Sequence, residues 1–424
     1  MTKYVIIGGS TGAIGAVEAI REVDPAGSLT VVTEEPMPIH SRPMIGDYLS
    51  GAAPLQKTKY RSDQFWCENK VRAFTGRKAV RVNFGEKYVE LDEGARIEFE
   101  QLLIATGSKP FLPNIEGVDA KGVFTFTTFA DAEAAKRRLA EEKRVVVIGG
   151  GLIGVCAAEA LAKCGGDVTI VELQERILSL LLDDAASDIL RQAIRHRGVK
   201  IITGHTVQQI EKRDDGSVGA VVLDNGQRLP CGMVAIAIGV RPRTELVLDT
   251  EVRVNRGIVV DRFMRTTLPN VYACGDVAEA YDLISEGRRV LPQWPVAHMS
   301  GRVAGFNMAG AKRAYPGGVV MGALKYFDTP LVAVGRTNPE KGADYEVLVV
   351  HDPDRPRYKK AVLKDGVLHG FILVGDIERA GILCYLLTKG VDVAAFKDTL
   401  LSDGFGLVNL SEGLRRTMLM RSWM

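Results

Sequence analysis

Two parallel-sheet α/β domains and a small C-terminal α+β domain are the fold class this sequence predicts, on three observations. An apolar run, a glycine-rich turn, a helical stretch and a second apolar run ending in acid occur in residues 3–35 and again in 143–175. Each copy is closed by a further apolar run into glycine, at 101–107 and 233–239. From about residue 320 the pattern changes to alternating strands and then helices. Repeated β-turn-α-β units build parallel sheets, and 424 residues are too many for one core.

The elements follow in order. Lys3-Tyr4-Val5-Ile6-Ile7 and Leu29-Thr30-Val31-Val32 read as strands flanking a helix, and Val145 to Ile148 and Val168 to Val171 repeat the arrangement. After residue 250 the first domain resumes, with strand-like runs at 258–261 and 270–277 and a helix near 296–309. The last domain shows strands at 345–350, 358–363 and 368–374, then helices at 376–389 and 392–401. The expected boundaries are 1–112 with 249–318, then 113–248, then 319–424.

Bulk properties exclude more than they identify. The net charge is +2 and the pI is near 8.1, so no dominant basic field of the kind nucleic-acid binders use is present. No apolar run reaches the roughly eighteen residues of a membrane span. The chain enters a strand at Lys3, which leaves no room for a leader peptide and makes the cytoplasm the expected compartment. Cys67, Cys156, Cys164, Cys231, Cys274 and Cys384 are scattered. Neither iron–sulphur ligation nor a redox disulfide is expected from such spacing, nor any metal site.

Gly149-x-Gly151-x-x-Gly154 is the strongest motif. The first glycine makes a tight turn, the second admits a pyrophosphate, and the third lets helix pack on strand; Leu152 and Ile153 open the helix whose free N–H groups face the phosphates. Glu172 ends the next strand, where a carboxylate takes ribose hydroxyls and repels a 2′-phosphate, so NAD is favoured over NADP. These features make the second domain a Rossmann-like NAD-binding domain. Gly8, Ser10 and Ala13 occupy the same frame in the first copy. There serine replaces the second glycine and alanine the third, with Thr11 and Gly12 between them; Gly12 is an alternative for the close approach. Glu34 is the expected ribose partner there and Glu35 the near miss.

In order along the chain, the turn at 8–13, Ala105-Thr106-Gly107, the turn at 149–154, Ile238-Gly239-Val240-Arg241-Pro242 and Tyr272-Ala273-Cys274-Gly275-Asp276 resemble the FAD-dependent pyridine nucleotide oxidoreductases over about residues 1–310. The segment from Glu34 to Pro43 looks like the branch of ferredoxin, rubredoxin and nitrite reductase flavoproteins, which lacks an active-site disulfide. The resemblance implies FAD in the first domain and NAD in the second. It places Arg42 and Pro43 along the FAD, Asp276 with Gly275 on its ribityl chain and Trp294 near its ring, with Ala79, Ala105, Thr106 and Gly107 also on the FAD side and Gly239 on the nicotinamide side. No catalytic side chain is expected, because the flavin and nicotinamide exchange a hydride between themselves.

Two departures from the branch occur together. A lysine five positions after the arginine and a glutamate two after the last glycine are replaced by Asp47 and Cys156. Losing one partner would strand a charge, whereas losing both is tolerable. Arg243 stands where the family often has asparagine. A looser likeness, to flavin subunits of aldehyde and 2-oxoacid oxidoreductases, implies an iron–sulphur protein or subunit as partner. Arg415, Arg416 and Arg421 alternate with Leu414, Met418, Leu419 and Met420, which suits a docking helix, packing on its own domain, or contact with a second copy in a homo-oligomer. A stand-alone NADH oxidase and a redox-regulated assembly protein are the competing readings. The oxidase's nucleophilic cysteine would fall at Pro43 or Met44, and neither is cysteine.

Overall fold

The computed structural model describes residues 1–36, 39–340, 342–352 and 354–421, with side chains to residue 418. The elements that position the sites are, in chain order, β1 (Lys3–Ile7), α1 (Thr11–Val23), β2 (Ser28–Thr33), β3 (Val71–Thr75), β4 (Gln101–Ile104), β5 (Val123–Thr125), β6 (Arg144–Ile148) and α2 (Leu152–Lys163). There follow β7 (Asp167–Glu172), α3 (Asp184–His196), β8 (Lys200–Thr203), β9 (Met233–Ile236), β10 (Val271–Ala273) and α4 (Trp294–Met308). The last stretch carries β11 (Met321–Tyr326), β12 (Thr329–Gly335), β13 (Glu346–Asp352), β14 (Arg357–Lys364), β15 (Val367–Val374), α5 (Ala380–Thr388) and α6 (Glu412–Arg421).

The chain forms two compact units. The first comprises Met1–Phe111, Thr127–Ala132 and Gly239–Gly318. Its parallel sheet runs β10-β4-β1-β2-β3. β1 and β4 are apolar almost throughout because the sheet lies inside a single hydrophobic core; Ile6, Leu102, Leu103 and Ile104 are fully enclosed. Helices α1 and α4 cross with their backbones nearly touching. A Cβ on Gly301 would drive into the carbonyl of Gly12, and one on Gly305 into that of Ala16.

The second unit comprises Leu112–Phe126, Glu133–Ile238 and Val319–Met424. It holds a parallel sheet, β8-β7-β6-β9-β5, and an antiparallel one, β11-β12-β15-β14-β13. Three polar ties join the antiparallel sheet to α2 and α3. Tyr326 donates its hydroxyl to the Leu152 carbonyl at 3.1 Å. The Phe327 amide donates to Glu159 at 2.9 Å. Asp183, the N-cap of α3, accepts from Ala186 N–H, from Tyr358 Oη at 2.6 Å and from Lys360 Nζ at 2.8 Å.

Several elements differ from expectation. The hairpin of β11 and β12 precedes the three predicted strands of the last domain. The helix expected over 376–389 begins only at Ala380, and the one expected over 392–401 is a 3₁₀ segment, Ala394–Thr399, kinked at Phe396. The strand expected over 258–261 shortens to Ile258–Val259. The basic tail forms α6, with Arg416 paired to Glu412 at 2.9 Å; the side chains of Leu419, Met420 and Arg421 lie outside the described residues.

Candidate cofactor sites

The strands of the first sheet end on one edge, and the loops after β1, β2, β4 and β10 gather there. That is where open parallel sheets bind ligands. Gly8 has φ +123° and a Cβ on it would collide with the Ala105 carbonyl, so the chain turns there only because the residue is glycine. Ser10 is the N-cap of α1 and its hydroxyl makes no capping bond. Thr11 Oγ1 is buried without a hydrogen-bond partner among the described residues. A helix N-terminus with free N–H groups and an orphaned hydroxyl suits a phosphate. Ala13 is buried in the core beneath the turn.

Gly12 has a second use besides the turn. Its Cβ position lies 3.1 Å from Cys274 Sγ and 3.3 Å from the Ala297 carbonyl, so it serves the crossing of α1 and α4.

A crevice beside the turn is lined by Gly9, Ser10, Thr33, Glu35, His40 and Arg42, and is closed by Ile39, Trp66 and Thr75. Arg42 opens a short 3₁₀ turn with Pro43 and forms an ion pair with Glu35, whose other oxygen is 3.8 Å from His40 Nε2. Thus the crevice presents Glu35, while Glu34 pairs with Arg243 at 2.7 Å. Ala79 is a core residue at the start of a strand and does not line the crevice.

Asp276 follows Gly275 on the same edge and accepts a hydrogen bond from Ser108 at 2.8 Å. Burial raises its pKa above the ordinary carboxylate range, and the Ser108 bond and the Arg42 charge pull it back. Gly275 N–H donates to Ser300 Oγ at 3.0 Å, which anchors this loop to α4. Trp294, the first residue of α4, packs edge-on against Tyr60, whose hydroxyl meets His298 Nδ1 at 3.1 Å. Thr106 and Gly107 hold the backbone of Arg243. Gly239 also belongs to the first unit, where its carbonyl accepts from Phe111 N–H at 2.9 Å.

The second turn is built more tightly. Gly149 has φ +105°, and a Cβ on it would meet the Ala237 carbonyl. One on Gly154 would strike the Gly149 carbonyl, whereas Gly151, the N-cap of α2, faces open space. Leu152 and Ile153 form the first turn of α2. Glu172 accepts from the amides of Gly150 and Gln174, which aims its carboxylate at the turn and leaves lone pairs for ribose hydroxyls.

The departures noted in the sequence have plain settings. Asp47 is exposed on the short helix Ile45–Ser50. Cys156 is half-buried on α2 beside the Tyr326 hydroxyl. Cys274 is sealed in the first core, where burial pushes its thiol up to about 12. Of the contributing residues, Thr33, His40, Trp66, Thr75, Ser108 and Arg243 were not among the sequence candidates. His40, Ser108 and Arg243 lie within or directly beside sequence motifs, whereas Thr33, Trp66 and Thr75 have no such marker.

Residues 2–301 match the family model described as pyridine nucleotide-disulphide oxidoreductase. The chain belongs to that family. Residues 321–391 match the rubredoxin NAD+ reductase C-terminal domain. As a pyridine nucleotide-disulphide oxidoreductase the chain is an FAD-dependent NAD(P)H oxidoreductase, and its two turns, each a glycine cradle under an uncapped helix N-terminus, fit the two dinucleotides. It is 34% identical over 400 residues to the NADH-dependent phenylglyoxylate dehydrogenase subunit epsilon of Aromatoleum evansii, covering 93% of this chain and 94% of that one. It is 28% identical over 280 residues to the rubredoxin-NAD(+) reductase of Pseudomonas putida, covering 66% and 72%. Among solved structures it superposes on the NAD-dependent persulfide reductase of A. fulgidus with a TM-score of 0.85, at 28% identity over 91% of this chain and 77% of that one. Among the described residues no helix is long and apolar enough to cross a membrane.

Proposed function

We propose that this chain carries electrons between NAD(H) and a one-electron iron–sulphur protein or subunit, as the flavin-bearing component of a cytoplasmic oxidoreductase. The carrying observation is a pair of glycine-rich turns, each under an uncapped helix N-terminus, in a chain with Pro43 and Met44 where an oxidase would present a nucleophilic thiol. FAD, when bound, exchanges a hydride with the nicotinamide and single electrons with the partner. The FAD site takes the diphosphate on Gly8, Ser10, Thr11 and Ala13, with Arg42 and Pro43 alongside and Ala105, Thr106 and Gly107 behind. Glu34 and Glu35 divide the carboxylate work at the end of β2. Asp276 and Gly275 hold the polyol chain and Trp294 screens the ring.

The NAD site takes its diphosphate on Gly149, Gly151, Leu152, Ile153 and Gly154, and its ribose on Glu172. That carboxylate is already held by two amides and cannot swing away, so a 2′-phosphate meets a fixed negative charge and NADH is preferred to NADPH. The names of two relatives, a dehydrogenase subunit and a rubredoxin reductase, agree with an external electron partner.

Anaerobic stopped-flow mixing tests this reading. NADH should bleach the flavin absorbance rapidly, and added ferredoxin or rubredoxin should restore it far faster than oxygen does. A flavin that stays oxidised in NADH would overturn hydride transfer. Oxygen reduction as fast as ferredoxin reduction would make the chain a stand-alone oxidase.

A further inference from the structure

The sheet order places β1 between β4 and β2, so the turn at 8–13 lies between the loops that follow those two strands. Neighbouring strands are about 4.8 Å apart, and the ends of β4 and β2 are therefore separated by roughly 10 Å. Arg243 crosses that interval. Its amide donates to the Gly107 carbonyl at 2.9 Å, and its carbonyl accepts from Thr106 Oγ1 at 2.8 Å, which fixes its backbone behind β4. Its guanidinium reaches Glu34 beyond β2 at 2.7 Å. The side chain is thus a strap between the loops on either side of the glycine turn, made by residues 209 apart in sequence.

The ion pair alone gives the strap little reason to exist. Both side chains are well exposed, and such pairs contribute at most about 1 kcal/mol. Yet Arg243 Nε is buried and has no hydrogen-bond partner among the described residues. A buried, unpartnered guanidinium N–H on a side chain linking the loops that flank the turn is suited to an anionic oxygen. Lys109 already pairs with Glu245 close by, so Arg243 is not needed to neutralise that carboxylate.

We propose that Arg243 is a cofactor-holding residue, whose guanidinium closes over the dinucleotide diphosphate on the 8–13 turn and ties it to Glu34. This rests on the reading of that turn as the FAD site. The strap slows release of the bound group without touching hydride chemistry, because it acts on the diphosphate end.

FAD release from the holoprotein, followed by flavin fluorescence after dilution into apo-scavenger, tests it. Arg243→Asn should release FAD at least tenfold faster, about 1.4 kcal/mol, and Arg243→Lys should fall between. Raising ionic strength should speed release from the wild type and much less from R243N, since the lost contact is the electrostatic one. R243N releasing FAD at the wild-type rate would overturn the proposal. So would an equal loss of thermal stability in apo- and holoprotein, which marks a purely structural residue. A wild-type protein that never takes up FAD would instead overturn the reading of the turn itself.

Discussion

The two glycine-rich turns share one geometry and differ in what supports them. Both begin with a left-handed glycine pressed on a carbonyl, Gly8 on Ala105 and Gly149 on Ala237. They diverge at the third motif position. Gly154 cannot carry a Cβ because α2 lies directly on the turn, but the first turn accepts Ala13. The glycines absent from that motif reappear between helices, at Gly12, Gly301 and Gly305, where α1 and α4 cross. Among the described residues no helix crosses α2 in that way, and α2 leans on the antiparallel sheet through Tyr326 and Phe327. A degenerate glycine motif can therefore mark a change in what packs behind the turn, and need not mean a lost site.

Cutting each support separately sharpens this contrast. The largest effect belongs to Asp183→Asn, which leaves buried Lys360 without its counter-charge and should destabilise the second unit by about 3 kcal/mol. Burial alone would raise the Asp183 pKa, but bonds from Lys360 and Tyr358 outweigh it and hold the carboxyl below the usual range. The stabilisation is therefore present above the ordinary carboxylate pKa and is lost as pH falls through the depressed one. Urea unfolding should show the gap between wild type and D183N closing below about pH 4; a gap independent of pH would remove the charge from the explanation.

Next comes Gly301→Ala, where a methyl group must push the α1 and α4 backbones apart, for about 2 kcal/mol. Thermal melting should fall and FAD content with it, while NADH affinity measured on folded protein stays put. Gly154→Ala should do the reverse. NADH binding, read by fluorescence titration, should weaken about tenfold, or 1.4 kcal/mol, with FAD content unchanged. If FAD were lost there too, the two supports would not be separable. The smallest effect is expected from Ala13→Gly. Restoring the motif should lower stability by about 1 kcal/mol or less through helix propensity and give no gain in FAD retention.

What could be read from sequence follows the range of the interaction. Each βαβ start was legible because its strands are continuous apolar runs and its turn carries glycine at fixed local spacing. The hairpin of β11 and β12 was not, because Phe327 and Asp328 supply its two positive-φ positions where asparagine and glycine normally announce such a turn. The helix predicted over 376–389 shrank because Gly375 bends the chain and a turn at Glu378 and Arg379 precedes Ala380. At the site, Glu172 was legible as a strand-end acid. That Glu35 lines the crevice while Glu34 pairs with Arg243 was not, since both depend on arginines arriving from elsewhere in the fold. Ala79 has no local motif to mark it, and its side chain lies in the core.

The bond from the Phe327 amide to Glu159 makes that single N–H a reporter for α2. Its exchange with deuterium requires the helix and the hairpin tip to separate, however briefly. A ligand seated on the N-terminus of α2 stabilises the joined state by mass action. Deuterium uptake at Phe327 should therefore slow as NAD is added, and the slowing should titrate with the dinucleotide's own binding curve.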